Sequence, residues 1–388
     1  MKTLIELYDE RPIENVLGTE MMHPEETILV CPPEMMRNRA WKNSLIEYFK
    51  VRNCEVKLTF MEASLLDAQK VKKTLQQILS THEECAFDIS GGSDAALFAA
   101  GAVAGEVPVF TYSWKKNAFF EIQNAPFARN LLCSVKLDAR SCFLMAGGEL
   151  LPGREDNERL KDRMEEIGSL FSVYSQFRTI WNRQITYIQR ISQAEDRNCG
   201  AYGPRRVKAD NRYVTADEPF FHALEEKKLI QDLHISEKEV SFVFPDEVIR
   251  FWLRDVGSVL ELQVYRACLS SKLFDDVVLS AVVAWDRQSE GRDNVTNEID
   301  VMAVRGVEPI FISCKTSGIH TEALNELAIL RDRFGGKSSR AMIVTAGNVG
   351  KTRRVMLRRA QELNIEVVEE NELELDTLIE RLQHFTKK

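Results

Sequence analysis

Along residues 1 to about 135, short apolar runs alternate with amphipathic stretches, the pattern of buried strands linked by helices that lie on the faces of a sheet. The expected strands are Thr3 to Tyr8, Thr27 to Cys31, Cys54 to Phe60, Cys85 to Ile89 and Val107 to Tyr112. Asn38 to Lys50 and Leu65 to Ser80 carry helical periodicity and are long enough for right-handed crossovers between parallel strands. This part of the chain is expected to be a Rossmann-like α/β unit.

A Gly/Pro-marked break at Gly147 to Gly153 leads into a helical, charge-rich stretch from Arg154 to about Gln193. Glu195 to Arg212 contains Gly200, Gly203 and Pro204 and is expected as a loop, while Ala223 to Phe244 has the pattern of a helix and then a β-ribbon, as in a winged-helix connector. The rest is expected as a helix at Asp246 to Ser271, strands at Val277 to Trp285, Ile299 to Val304 and Ile310 to Cys314, and a helix at Thr321 to Phe334. A strand at Ala341 to Thr345, a helix at Lys351 to Leu363 and a strand at Glu366 to Val368 follow. The order αβββαβ is that of restriction-endonuclease-like cores, and the expected division is 1–146, 147–244 and 245–388.

Composition excludes a disordered or fibrous chain, with 44% hydrophobic and 28% charged residues over 388 positions. The net charge of -8 excludes coating of nucleic acid by bulk charge but permits a local basic surface. Eight scattered cysteines without a C-x-x-C pair are expected to be reduced thiols of a cytoplasmic protein. No signal-like apolar segment and no run near the ~18 residues of a membrane span is found, so no membrane association is expected.

The segment NEIDVMAVRGVEPIFISCK concentrates the chemistry. Glu298 and Asp300 lie two apart on a strand and are expected to share a face, and Lys315 ends the next strand after a turn around Gly306. Phosphodiester hydrolysis needs carboxylates converging on a divalent ion, with a cation nearby for the charge that develops. Glu261, within GSVLELQVY on the preceding helix, is a further inward-facing candidate. From Arg331 to Arg359 the cations Arg331, Arg333, Lys337, Arg340, Lys351, Arg353, Arg354, Arg358 and Arg359 are interrupted by one acid of the aspartate type, Asp332, and are read as a phosphate-binding surface. At the other end of the chain, Ser90-Gly91-Gly92-Ser93-Asp94 lies where a strand gives way to a helix, the ligand edge of an open α/β sheet, where free amides favour phosphate.

Glu261, the NEID segment, the FISCK strand and the helix LNELAILRDRFGG resemble the nuclease domain of CRISPR-associated ancillary nucleases of type III systems, which join a CARF sensor domain to a PD-(D/E)xK domain. The resemblance covers nearly the whole chain. It implies a PD-(D/E)xK centre in which Glu261, Glu298, Asp300 and Lys315 are catalytic and the three acids hold Mn2+ or Mg2+. The usual acid two residues before the lysine is Ser313 here, so Glu298 or Glu322 would have to supply the third ligand. Arg331, Arg333, Lys337, Lys351, Arg353 and Arg354 would contact nucleic acid. In the sensor, Ser90, Gly91, Gly92, Ser93 and Asp94, with Asp9, Glu10, Arg11 and Asn15 of YDERPIENV, would contact a cyclic oligoadenylate, although CARF domains often carry lysine at the position of Asp94.

The resemblance further implies a symmetric homodimer, activation by cyclic tetra-adenylate and cleavage of DNA and/or RNA in antiviral defence. Two other readings compete: a ligand-responsive nucleic-acid-binding regulator with an inactive nuclease fold, favoured by Ser313, and a repair or restriction nuclease indifferent to any messenger.

Overall fold

A computed structural model describes residues 1–153, 157–192, 199–209, 212–285, 295–335, 339–347 and 353–387. The expected strands near the start are β1 (Thr3–Leu7), β2 (Glu26–Cys31), β3 (Lys57–Glu62), β4 (Cys85–Asp88) and β5 (Val109–Ser113), parallel and ordered β3-β2-β1-β4-β5. An antiparallel extension, β6 (Ala118–Gln123) and β7 (Leu131–Leu132), was not expected; Asn117, with φ 45°, lies just before β6 in the turn from β5. The helices are α1 (Leu17–Met22), α2 (Pro33–Arg37), α3 (Arg39–Val51), α4 (Ala68–Thr81), α5 (Asp94–Val103) and α6 (Ala139–Met145). Val71, Leu75 and Ala96 of α4 and α5 pack with Ile5, Ile28 and Phe87, while Leu45 and Tyr48 of α3 pack with Leu4 and Leu29 on the opposite face. Burial on both faces explains why β1 and β2 read as apolar runs rather than as alternating sequences.

The middle of the chain comprises β8 (Glu149–Leu150), α7 (Asn157–Leu160), α8 (Met164–Phe177), α9 (Trp181–Ile191), β9 (Gly200–Pro204), β10 (Arg206–Ala209), β11 (Arg212–Thr215), α10 (Glu218–Glu226), β12 (Gln231–Ile235) and β13 (Glu239–Val243). The expected helix and ribbon are present, but much of the stretch expected as a loop forms β9 and β10. Gly203 is there for close packing rather than for a turn: a Cβ would lie 2.5 Å from Ile191 Cγ2 on α9.

The last part contains α11 (Glu247–Trp252), α12 (Ser258–Ser271), β14 (Asp276–Ala284), β15 (Thr296–Arg305), β16 (Glu308–Lys315), α13 (Thr321–Phe334), β17 (Arg340–Thr345), α14 (Arg353–Glu362), β18 (Ile365–Val368) and α15 (Leu375–Lys387). Its sheet runs β18-β17-β16-β15-β14-β8 among the described residues, so Glu149 and Leu150 form its edge. Two details differ from expectation. The helix foreseen over Asp246 to Ser271 breaks, because Asp255 accepts from Gly257 N at 3.2 Å and from Ser258 Oγ at 2.9 Å and starts α12 afresh. The helix α15 was not foreseen.

One core joins α8, α9, α10, α12 and α15 to one face of this sheet, through residues such as Trp181, Phe220, Tyr265 and Leu382 with Val301, Ile310 and Ile312. A second core joins α3 and α6 to the other face, Phe143 meeting Phe334 with ring centroids 5.3 Å apart. Movement of one sheet against the other must therefore repack buried side chains. Among the described residues, no helix is long and apolar enough to cross a membrane.

Candidate functional site

Strands β15 and β16 are joined by a tight turn in which Gly306 adopts φ 58°, and Arg305 pairs with Glu308. That turn fixes the register, which runs from Arg305 and Glu308 to Val301 and Ile312 and leaves Asp300 and Ser313 next in line on the two strands. Asp300 Oδ2 accepts from Cys314 N at 2.6 Å, from Ser313 Oγ at 3.1 Å and from Lys315 Nζ at 3.3 Å. The expected Asp300–Lys315 pair is thus formed, and Ser313, in the place of an acid, serves as a donor to Asp300.

Glu261 projects from α12 toward this pair. Its carboxyl is pushed up to about 8, by burial first and then by the charges of Asp300, Asp255 and Glu298, against the opposing pull of Lys315. Asp300, Asp255, Glu298 and Lys315 thus all act on Glu261, although Glu298 itself is exposed, and Asp255 is not among the residues expected from sequence. Gly257 leaves room for Glu261: a Cβ there would crowd Glu261 Oε1 at 3.2 Å and would reach Asp255 Oδ1 at 3.8 Å, an ordinary contact. Glu322 is exposed in the first turn of α13.

Simple alternation does not run unbroken through Glu298 and Asp300. Val277, Leu279, Val301 and Ala303 belong to the core under α12, whereas Ala281, Val283 and Ile299 belong to the core under α6. Facing therefore switches at Ser280, which has φ 51°, and at Asp300, its position opposite on β15. The switch turns the sheet over at the point where the acids gather.

These acids offer hard oxygen donors, the chemistry suited to Mg2+ or Mn2+. Burial, and then repulsion from its acidic neighbours, raises the Glu261 pKa, and a divalent cation would relieve that repulsion. Among the described residues, no group of three His, Cys, Asp or Glu side chains converges closely enough to hold an ion as placed. Binding one would require the carboxylates to draw together.

At the first sheet, β1 and β4 end in a connected polar network. Asp9 accepts from Arg11 Nε and Nη2, each at 2.6 Å, and from Gly92 N at 2.9 Å. Asn15 clasps the loop, accepting from Asp9 N and donating to Asp9 O, both at 2.8 Å. Arg11 also lies 2.6 Å from buried Glu14, so two carboxylates compete for one guanidinium. Burial works against an ionised Asp9, but the bonds from Arg11 and Gly92 hold it below the ordinary range. Glu14 takes the other outcome: burial and then Asp9 push it up to about 8.

Ser90 Oγ accepts from Tyr112 N at 2.8 Å and donates to buried Asp88, which is paired across β1 and β4 with buried Glu6. Gly91 is covered, since a Cβ would lie 2.9 Å from Asp9 Cβ, and Gly92 has φ 109°. Ser93 caps α5, accepting from Ala96 N at 3.2 Å, while Asp94 and Glu10 are exposed. The structure thus brings Asp9, Arg11, Asn15 and the Ser90–Ser93 turn together. It also gives Gly92 N to Asp9 rather than leaving it open to a phosphate.

Residues 246–387 match the family model of the Card1-like endonuclease domain. Nearly all of that match lies on the sheet and helices that hold Glu261, Asp300 and Lys315. Across its whole length the chain resembles the crystal structure of protein VC1899 from Vibrio cholerae, with a TM-score of 0.78, 19% identity, and coverage of 99% of this chain and 98% of that one. It also resembles Can2 from Sulfobacillus thermosulfidooxidans, whose structure is a complex with cyclic tetra-adenylate, with a TM-score of 0.71, 14% identity and 99% of each chain covered. At these identities the likeness is one of fold. No curated protein matches the chain by sequence.

Within the endonuclease domain, the expected basic surface is largely engaged internally. Arg331 donates to Leu363 O at 2.7 Å and to Asp332, and Arg333 donates to Ala146 O at 2.8 Å. Arg353 pairs with Glu369 through its Nε at 2.8 Å, and Arg340 pairs with Glu308. Two of the acids that offset these cations, Glu308 and Glu369, lie outside the stretch from Arg331 to Arg359. Arg354 is exposed, and Lys337 and Lys351 fall outside the described residues.

Proposed function

We propose that this chain is a metal-dependent nuclease, switched on by a cyclic oligoadenylate, that cleaves DNA and/or RNA in CRISPR antiviral defence within the cytoplasm. One observation carries the reading: Lys315 lies 3.3 Å from Asp300, and Glu261 on α12 feels the charges of this pair together with those of Asp255 and Glu298. A divalent ion held there, by Asp300 and Glu298 with Glu261 once its proton is lost, would polarise the phosphodiester and activate water. Lys315 would neutralise charge that develops on the phosphate, and Ser313 and Cys314 N would fix the Asp300 carboxylate for that task.

In this reading residues 1–146 sense the messenger, 147–244 connect and 245–388 cut. The messenger would be cyclic tetra-adenylate, held by Asp9, Arg11, Asn15 and the Ser90–Asp94 turn, with Glu10 at the rim. A two-fold-symmetric ring calls for two copies of the chain. Support for a homodimer comes from Leu66 and Phe98, which are 87% and 73% exposed close to the Ser93 turn.

Labelled DNA and RNA incubated with Mn2+, with and without cyclic tetra-adenylate, test the proposal. Cleavage that rises with the messenger is expected. Binding without cleavage would favour the regulator with an inactive fold, for which Ser313 speaks, and cleavage indifferent to the messenger would favour a repair or restriction enzyme.

A further inference from the structure

Beside the acid cluster lies an open cleft of about 560 Å3 lined by Gln189, Arg190, Phe251, Arg254 and Asp255. It belongs neither to the sensor turn nor to the basic residues of α13 and α14. Asp255 forms one wall, and its Oδ1 and Glu261 Oε1 lie 3.8 and 3.2 Å from the position a Cβ would take on Gly257, so the cleft adjoins the proposed centre. The opposite wall is the last turn of α9, where Arg190 is exposed and where Gln189 Nε2 donates to Arg254 O at 2.6 Å, fixing the two walls together.

Three features of this cleft belong together. Arg190 and Arg254 bring positive charge to a chain of net charge -8. Arg254 Nε makes no hydrogen bond among the described residues, so its guanidinium is not held by an acceptor through that atom. Phe251 is 40% exposed, although the adjacent Trp252 and Leu253 are buried. A cation pair beside an open aromatic ring is the combination that holds a phosphate and stacks a base, and only an unpaired base offers its face.

We infer that this cleft is a nucleotide subsite for a single strand entering the nuclease centre, an inference that rests on the nuclease reading. Arg190 and Arg254 hold the backbone phosphate next to the one to be cut, and Phe251 stacks its base. The connector, through α9, therefore supplies part of the substrate groove as well as joining the two sheets.

The test is fluorescence anisotropy of the full chain with fluorescein-labelled oligo(dT) and oligo(U) in EDTA, so that nothing is cut. Phe251→Ala and the milder Phe251→Leu should each weaken single-strand binding, the former about tenfold, with the salt slope unchanged. Arg190→Gln and Arg254→Gln should each reduce the slope of log K against log salt by about one. Melting curves and messenger binding equal to the parent's establish that the variants fold.

A parent that cuts with Mn2+ while these variants bind both strands with parental affinity and slope overturns the subsite alone. A parent that neither binds nor cuts overturns the subsite together with the nuclease reading.

Discussion

Replacing Ser313 with aspartate restores the acid expected two residues before the lysine, and the geometry sets the consequence. Ser313 Oγ lies 3.1 Å from Asp300 Oδ2, and the Asp300 side chain is 17% exposed. Two carboxylates about 4 Å apart in such a setting repel by about 4 kcal/mol, and the lost hydroxyl bond adds about 1 kcal/mol. Lys315, at 3.3 Å from Asp300, offsets part of this. A net destabilisation of about 2–4 kcal/mol in the absence of metal follows, lowering the melting temperature of a chain of this size by about 2–5 °C. A divalent ion shared between the two carboxylates reverses the sign, because binding to the folded state alone stabilises it. Scanning calorimetry of Ser313→Asp and its parent, in EDTA and in Mn2+, measures both effects. Equal melting temperatures in EDTA, or equal Mn2+ shifts, would refute the reasoning.

Gly18→Ala would place a methyl group 1.9 Å from Asp88 Oδ2 and 3.0 Å from Glu6 Oε1. Overpacking against this buried pair should cost about 1–3 kcal/mol, read as a lower melting temperature. Gly92→Ala forces a side chain to φ 109° with its Cβ 2.9 Å from Leu7 Cβ, so calorimetric titration should show messenger binding lost or sharply weakened. Glu14 has a folded pKa of about 8 against an ordinary 4.5, so the folded state holds the extra proton between these values and stability falls as pH rises through that window. Denaturant titrations at several pH values should show Glu14→Gln flattening this dependence, which amounts to at most about 1.4 kcal/mol per pH unit.

The central strands of both large sheets were legible because their residues are buried on two faces and leave continuous apolar runs, as in Ile28–Cys31 and Ile310–Ile312, whereas the outer strands β6, β7 and β8 were not. The Asp300–Lys315 pair was legible because a glycine turn sets hairpin register within a few residues. Asp255 was not, since periodicity continues through Val248, Trp252 and Val256 and hides the break at which its side chain restarts a helix. Nor was the switch of facing at Ser280 and Asp300, which depends on a left-handed serine that no local pattern marks. The ion pairs within the basic cluster were not legible for a related reason: the partners Glu308 and Glu369 are distant in sequence from Arg340 and Arg353.

Single-turnover cleavage by Asp300→Ala against the parent, with Mn2+ and cyclic tetra-adenylate present and messenger affinity measured alongside, bears most directly on the proposed centre. Loss of a charge worth about 4 kcal/mol to the reaction predicts cleavage slower by about a thousandfold with messenger affinity unchanged. Parental cleavage by the variant would place the hydrolytic centre elsewhere.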